Sequence, residues 1–179
     1  MLQRCREGAL FIGLLLSLSA GFSGNALAQD DQAPIQVLEP RKSVHEFSLP
    51  DLNGKTVNLK DFRGKVVFVN FWATWCPPCR DEMPSMEQIY REYRDKGLIM
   101  LGINFMEPPS TIKPFIETYK LTFPILLDSG TVMVLYGVLG LPATYLIDRQ
   151  GKAAARALGA RDWTHKESVQ IIRKLLDEK

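Results

Sequence analysis

The chain has 179 residues, of which 46% are hydrophobic and 23% are charged, and its formal net charge is +2 at pH 7. This composition is typical of a globular protein, and it excludes a disordered tail, a collagen-like repeat and a protein that crosses a membrane many times. The nearly balanced charge gives no reason to expect nucleic acid as a partner. Three cysteines are too few for a disulfide-stapled scaffold, so we expect one domain with an ordinary hydrophobic core.

Residues 1–28 have the features of a secretory signal peptide. Arg4 and Arg6 precede an apolar run at 9–22, and Ala26-Leu27-Ala28 provides small residues before a cleavage site after Ala28. The run is shorter than the roughly 20 residues that a membrane-spanning helix needs. The alternative is an uncleaved N-terminal anchor, and only then would the protein be attached to a membrane. Either reading predicts a periplasmic or otherwise extracytoplasmic protein.

The remainder divides into a lead-in and a domain. Residues 29–44 carry Gln, Asp, Pro and scattered charge without periodicity, which predicts a flexible lead-in. Residues 45–179 are predicted to form the folded domain. Without the signal peptide, the only cysteines are Cys76 and Cys79. Two thiols three positions apart in an exported protein are expected to work as a pair.

The first half of the domain predicts a hairpin and a βαβ unit. Apolar and polar residues alternate on both sides of Asn53-Gly54, a turn signal typical of a β-hairpin. Two nearly unbroken apolar runs, 66–72 and 98–103, predict strands at the centre of a sheet covered on both faces. Between them, an apolar stripe with helical spacing runs from Cys79 to Tyr93.

The second half predicts a helix capped by Ser110, a short strand, a helical turn, an antiparallel hairpin and a last helix. A Thr164-x-x-Glu167 capping box is expected to open that last helix. The order of elements predicts an α/β fold whose mixed central sheet carries helices on both faces. The helix is predicted at 112–119, the short strand at 124–127, the helical turn at 131–136, and the two strands of the hairpin at 143–147 and 153–158.

The residues that carry chemistry are Trp75-Cys76-Pro77-Pro78-Cys79, between the first central strand and the long helix. Cysteines three apart in a first helical turn lie about 5–6 Å apart at Cα, within the range that a disulfide accepts. The helix N-terminus favours a Cys76 thiolate, whereas Cys79 begins the apolar stripe and should be buried. Cys76 is therefore predicted to attack a partner disulfide and Cys79 to resolve the mixed disulfide. Trp75, Pro77 and Pro78 flank the thiols and are expected to contact the substrate.

Two other interpretations of the cysteine pair are an inert disulfide and a metal site. An inert bridge closing so small a ring removes little chain entropy, so turnover explains the pair better. Zinc needs four ligands, and the only histidines, His45 and His165, are far apart in sequence. Two thiolates could hold Cu(I), which keeps a copper-handling, metallochaperone-like binding module as an alternative. No cofactor and no resident metal is expected.

Glu82 and Pro142 are the next candidates. Glu82 lies one helical turn after Cys79 on the same side of the helix, where partial burial would raise its pKa towards neutrality. Such a carboxyl could exchange a proton with the buried thiol as a general acid and base. Pro142 opens a strand after Gly140-Leu141, and a cis bond there would leave the Leu141 backbone free to pair with an extended segment of a partner.

These motifs together resemble the thioredoxin-like TlpA/ResA family of exported thiol-disulfide oxidoreductases. The resemblance runs from about residue 47 to the C-terminus, which is nearly all of the chain that remains after the predicted cleavage. It implies a thioredoxin fold with an N-terminal β-hairpin extension. It also implies a redox-active Cys76–Cys79 pair, a cis bond at Pro142 and a modulating role for Glu82. Further matching positions are Asn53-Gly54, Phe123-Pro124, Asp128, Asp148-x-x-Gly151, Gly159 and Trp163.

The family implies a reductant that is fed by a membrane-embedded thiol electron donor and acts on disulfides of selected exported client proteins. A role in cytochrome c or cytochrome oxidase maturation belongs to this expectation. Two positions depart from related proteins. Asn70 stands where cytosolic thioredoxins have a buried aspartate, which shifts proton handling towards Glu82. Ala143 stands where cytochrome c maturation proteins usually have glutamate. A thiol peroxidase of the related peroxiredoxin group is a further alternative, although no Thr/Pro/Arg setting surrounds Cys76.

Overall fold

The computed structural model of the chain describes residues 32–178. The predicted signal peptide at 1–28 and the first residues of the predicted lead-in, 29–31, lie outside the described residues, as does Lys179. In the described part, no helix is both long and apolar enough to cross a membrane.

Residues 32–178 form eight β-strands and four α-helices. The strands are β1 (Ile35–Ser43), β2 (Ser48–Pro50), β3 (Thr56–Asn58), β4 (Val66–Trp72), β5 (Leu98–Phe105), β6 (Ile125–Asp128), β7 (Ala143–Ile147) and β8 (Lys152–Leu158). The helices are α1 (Pro77–Tyr93), α2 (Pro109–Tyr119), α3 (Thr131–Leu135) and α4 (Lys166–Asp177). The predicted order of elements in the domain is confirmed.

Six of the strands form one mixed sheet in the order β1-β8-β7-β4-β5-β6. Strand β4 pairs in parallel with β5 and antiparallel with β7, and β5 pairs in parallel with β6. The remaining pairs, β7 with β8 and β8 with β1, are antiparallel. Strands β2 and β3 form a separate hairpin, as predicted from the turn signal at Asn53-Gly54. The hairpin and the mixed sheet both agree with the sequence analysis.

Every residue of the central strand β4 is buried, because both faces of the sheet are covered. Successive side chains of a strand point to opposite faces, so β4 contributes to two separate apolar clusters. Val66, Phe68 and Trp72 pack with residues of α1, α2 and α4. The alternate residues of β4 pack with α3 and with the β2–β3 hairpin. Helices on both faces are therefore confirmed.

The predicted flexible lead-in is wrong for residues 35–43, which form strand β1. This strand pairs with β8 from Ile35 opposite Ala157 to Ser43 opposite Lys152, with an irregularity in between. Most of its side chains are exposed, and β1 is the edge strand of the sheet, paired on one side only. A strand of this kind lacks the alternation of apolar and polar residues that identifies half-buried strands.

The predicted helix caps are also wrong. Helix α2 begins after Pro108, whose carbonyl accepts the amide N–H of Thr111 at 3.0 Å, so Ser110 lies inside the helix. Helix α4 begins after His165, and Thr164 Oγ1 donates to Asp162 instead of closing a capping box. Glu167 is engaged by a different partner, the guanidinium of Arg161, at 2.9 Å.

Candidate active site

The two cysteines lie where β4 gives way to helix α1. Cys76 is the residue before the first helical position, and its backbone N–H donates to the carbonyl of Ala73. Cys76 and Cys79 are joined by a disulfide with their Cα atoms 5.3 Å apart. Pro77 and Pro78 fill the first helical positions, where their missing N–H groups leave no intrahelical hydrogen bond unmade. The predicted position of the pair is confirmed.

The two sulfur atoms differ in environment. Cys79 is completely buried, whereas Cys76 keeps 4% of its surface exposed. Cys76 Sγ accepts the backbone N–H of Cys79 at 3.3 Å. In the reduced protein, this N–H and the helix N-terminus would favour a negative charge on Cys76 over one on Cys79. The more exposed residue of the pair, Cys76, is thus also the one whose thiolate is the better stabilised.

The surface around the pair is formed by residues that the sequence analysis assigned to substrate contact. Trp75 is exposed over 62% of its surface, and both prolines of the motif are exposed. The Leu141–Pro142 peptide bond is cis. Ala143 pairs with Phe71, so Pro142 lies at the end of β4 from which the motif continues. The Pro142 carbonyl accepts the N–H of Gly159, whereas no residue between 32 and 178 forms a backbone hydrogen bond with Leu141.

A carboxylate that the sequence analysis did not single out holds the loop before Cys76. Glu107 accepts the backbone N–H of Thr74 at 2.7 Å, the Thr74 hydroxyl, and Asn104 Nδ2 at 2.8 Å. Thr74 and Glu107 are 33 positions apart, so no local motif joins them. The available signal is topological, because β4 and β5 are parallel and their carboxyl ends lie at the same edge of the sheet.

Glu82 is buried in the centre of the molecule with 1% of its surface exposed. One carboxyl oxygen accepts Asn70 Nδ2 at 2.8 Å, and the other accepts the indole N–H of Trp163 at 3.2 Å. Burial raises the pKa of Glu82 to about 7, although the two hydrogen bonds and the nearby Arg161 lower it. Glu82 is buried more completely than the partial burial that was predicted, and the predicted direction of the pKa shift is confirmed. Its proton equilibrium therefore falls in the neutral range.

The asparagine of the central strand is part of the same network. Asn70 is fully buried, and its Nδ2 also donates to Thr144 Oγ1 at 2.9 Å. An amide does not ionise, so Glu82 is the titratable group of this cluster, in keeping with the expectation from the sequence. Among residues 32–178, no three His, Cys, Asp or Glu side chains are grouped closely enough to hold a metal ion.

A buried cysteine pair at the start of a helix, beside a cis-proline and on a mixed sheet, defines a thioredoxin-like thiol-disulfide oxidoreductase. Residues 40–156 match the AhpC/TSA family, and the chain belongs to that family. The thiol-disulfide oxidoreductase ResA of Bacillus cereus is 36% identical over 167 residues, which cover 93% of this chain and 95% of ResA. The predicted resemblance to the ResA oxidoreductases is confirmed.

Solved structures agree with this assignment. The thioredoxin domain of a thiol-disulfide oxidoreductase from Bacteroides vulgatus has a TM-score of 0.66 and 30% identity, and the match covers 75% of this chain and 97% of that domain. A secreted thiol-disulfide isomerase from Corynebacterium glutamicum has a TM-score of 0.72 and 26% identity, with 84% and 96% covered. The protein is an enzyme of thiol-disulfide exchange with a thioredoxin-like fold.

Proposed function

We propose that this oxidoreductase is exported and reduces disulfides of selected client proteins outside the cytoplasm, with Cys76 as the nucleophile and Cys79 as the resolving thiol. The carrying observation is the asymmetry of the pair: Cys76 lies at the helix start with an exposed edge, and Cys79 lies beneath it without any exposed surface. Export is supported by the composition of residues 1–28 and by the secreted relative from Corynebacterium glutamicum.

The reaction proceeds in two exchanges. The Cys76 thiolate attacks one sulfur of a client disulfide, which forms a mixed disulfide and releases the other client sulfur as a thiolate. Cys79 then loses its proton and attacks Cys76 Sγ, which forms the Cys76–Cys79 disulfide and releases the second client thiolate. The client gains two electrons and the enzyme loses two. A membrane-embedded thiol donor would return the pair to the dithiol.

Glu82 is proposed to accept the proton that Cys79 loses. Its carboxyl is buried one helical turn after Cys79, and its pKa of about 7 lets it exist in both protonation states near neutral pH. The extended segment of the client would pair with the unused backbone groups of Leu141 and pack on the exposed indole of Trp75.

Reduction of insulin, with dithiothreitol as the electron source, tests the assignment of the thiols. Cys76→Ala is expected to abolish catalysed reduction, because the nucleophile is lost. Cys79→Ala should accumulate a mixed disulfide between Cys76 and insulin, visible by mass spectrometry, because the resolving thiol is lost. Turnover by Cys76→Ala would refute the assigned nucleophile. Stoichiometric Cu(I) binding by the reduced protein without insulin reduction would favour the copper-handling alternative.

The direction of electron flow is tested by equilibrating the pair with glutathione. Reductants of this fold, such as thioredoxin, have reduction potentials of about −270 mV, whereas strong oxidants have values of about −120 mV. A potential at the lower end is expected for a reductant, and one near that of the oxidants would reverse the proposed direction. A peptide with an oxidised Cys-x-x-Cys-His sequence tests the cytochrome maturation role, since faster reduction than a scrambled peptide is expected if that role holds.

A further inference from the structure

The indole of Trp163 contacts the Glu82 carboxyl from a distant part of the chain. Trp163 follows β8 in the connection to α4, 81 positions after Glu82, and its side chain is 1% exposed. Its Nε1–H donates to Glu82 Oε2 at 3.2 Å, while Asn70 Nδ2 donates to Oε1. Each carboxyl oxygen therefore has one side-chain donor of its own.

The position of the indole is fixed by a ring contact and by a hydrogen bond of the Trp163 backbone. Its ring meets Phe68 edge to face, with centroids 4.5 Å apart. The Trp163 backbone N–H donates to Ser85 Oγ at 3.1 Å, and the Ser85 hydroxyl donates to the Glu82 carbonyl at 2.8 Å. Trp163 is thus attached to the same helical turn that carries Glu82, and little rotation of the ring is possible.

An indole N–H can donate a hydrogen bond but cannot accept one, so it serves a carboxylate better than a protonated carboxylic acid. The other side-chain donor, Asn70 Nδ2, is shared with Thr144. The Arg161 backbone also forms a hydrogen bond with the carboxyl, and neither Trp163 nor Asn70 replaces it. We propose that Trp163 is a positioning residue of the redox centre, whose indole N–H fixes the Glu82 carboxyl and favours the ionised form that accepts the Cys79 proton. This inference rests on the proposed function of Glu82 as proton acceptor.

The charged groups around Glu82 either have other partners or line a solvent-open cleft. Arg161 lowers the pKa of Glu82 through a backbone hydrogen bond and through its charge, while its guanidinium donates to Glu167, Ser168 and the Ala33 carbonyl. On one side, Glu82 lines an open cleft of about 570 Å³ between α1 and the β8–α4 connection. The groups facing Glu82 from β4 and β7 are uncharged, and Cys79 is the titratable group one turn earlier on α1. The charged residues of the cleft are Asp81, Arg161 and Asp162.

The chain contains a matched control for this proposal. Trp72 is as deeply buried as Trp163, yet its Nε1 has no hydrogen-bond partner in the described structure. Trp163→Phe and Trp72→Phe both remove a buried indole and its N–H, so they create similar packing defects. Only Trp163→Phe removes a donor from Glu82. A difference between the two variants therefore isolates the hydrogen bond to the carboxyl.

The resolving step can be measured alone on protein whose Cys76 carries a thionitrobenzoate group in mixed disulfide. Attack by Cys79 forms the Cys76–Cys79 disulfide and releases coloured thionitrobenzoate, so electrons and atoms balance without a client. Trp163→Phe removes one hydrogen bond to a charged group, so the midpoint of its pH–rate profile should rise by about one pH unit. Below the midpoint, its rate should fall about tenfold. Trp72→Phe should leave the midpoint unchanged, and an equal shift in both variants would overturn the proposal.

Nuclear magnetic resonance of the intact wild-type protein gives an independent test that needs no variant. The indole N–H proton of Trp163 should shift with pH, with a midpoint near that of Glu82, whereas the indole N–H of Trp72 should not. A Trp163 signal that does not move across this range would overturn the inference.

The Glu82→Gln variant distinguishes the failure of this inference from the failure of the proposed function. If Glu82→Gln leaves the pH–rate profile unchanged, Glu82 is not the proton acceptor and the proposed role of Glu82 fails, and with it the inference. If Glu82→Gln changes the profile but Trp163→Phe does not, only the inference fails. If both change it, Trp163→Phe should add no further shift in the Glu82→Gln background, since its effect acts through that carboxyl.

Discussion

Replacement of Glu82 by Gln is expected to remove a pH dependence that the buried carboxyl imposes on stability. Folding raises the pKa of Glu82 from 4.5 to about 7, chiefly because burial penalises the charged form. Below the lower value, both the folded and the unfolded chain hold the proton. As the pH rises further, the unfolded chain releases its proton first, while the folded protein retains it until about pH 7. Stability therefore falls with rising pH across this window.

The size of this effect follows from the difference between the two pKa values. The interval from 4.5 to about 7 corresponds to about 3 kcal/mol lost between mildly acidic and mildly alkaline pH. Urea unfolding of the oxidised wild type and the Glu82→Gln variant, between about pH 5 and about pH 8, gives the difference directly. The contributions of all groups that the two proteins share cancel in that difference.

The expected result is that the wild type loses stability relative to Glu82→Gln as the pH rises. Glu117→Gln, on the exposed face of α2, is the control for the loss of one negative charge at the surface. Its stability curve should run parallel to that of the wild type. If the curves of wild type and Glu82→Gln are also parallel, the carboxyl does not carry the shifted pKa and the reasoning is refuted.

Two further predictions concern glutamates that hold other parts of the structure. Glu107→Ala removes the acceptor for Thr74 and should slow insulin reduction by about tenfold or more, because the loop before Cys76 is no longer held. An unchanged rate with an unchanged circular dichroism spectrum would contradict this role. Glu87→Ala removes the acceptor for the Thr122 N–H and hydroxyl and should lower the free energy of unfolding by about 3 kcal/mol. Insulin reduction should persist in that variant below its unfolding temperature, and a loss of activity without loss of stability would count against a purely structural role.

The central part of the fold could be predicted because its signals are local. Strand β4 and helix α1 are buried along a complete face, so their apolar spacing identifies them without knowledge of the partners. Strand β1 could not be predicted in this way, since it is exposed on most of its length and owes its conformation to pairing with β8. The capping box at Thr164 failed because Arg161, buried beside Trp163, takes the glutamate that the motif requires.

The same distinction separates the predictable and unpredictable parts of the site. Cys76, Cys79 and Glu82 occur within two helical turns, so helical geometry alone relates them to one another. Pro142 is a candidate because it opens a predicted strand, the family resemblance implies its cis bond, and its position beside the end of β4 follows from strand pairing. Glu107 and Trp163 contact the site through hydrogen bonds that span 33 and 81 positions. No sequence spacing encodes such contacts.

The pairing of β1 with β8 has a practical consequence for shortened forms of this protein. Strand β8 presents a row of small alanine side chains, and β1 occupies the hydrogen-bonding groups on its outer side. In a chain trimmed to begin after Ser43, β8 would become the edge strand with unpaired N–H and C=O groups. Its small alanine side chains would hinder pairing with a strand of another molecule very little. Such a trimmed chain is expected to self-associate, so fragments intended for crystallisation or binding studies should retain the residues from Ile35 onwards.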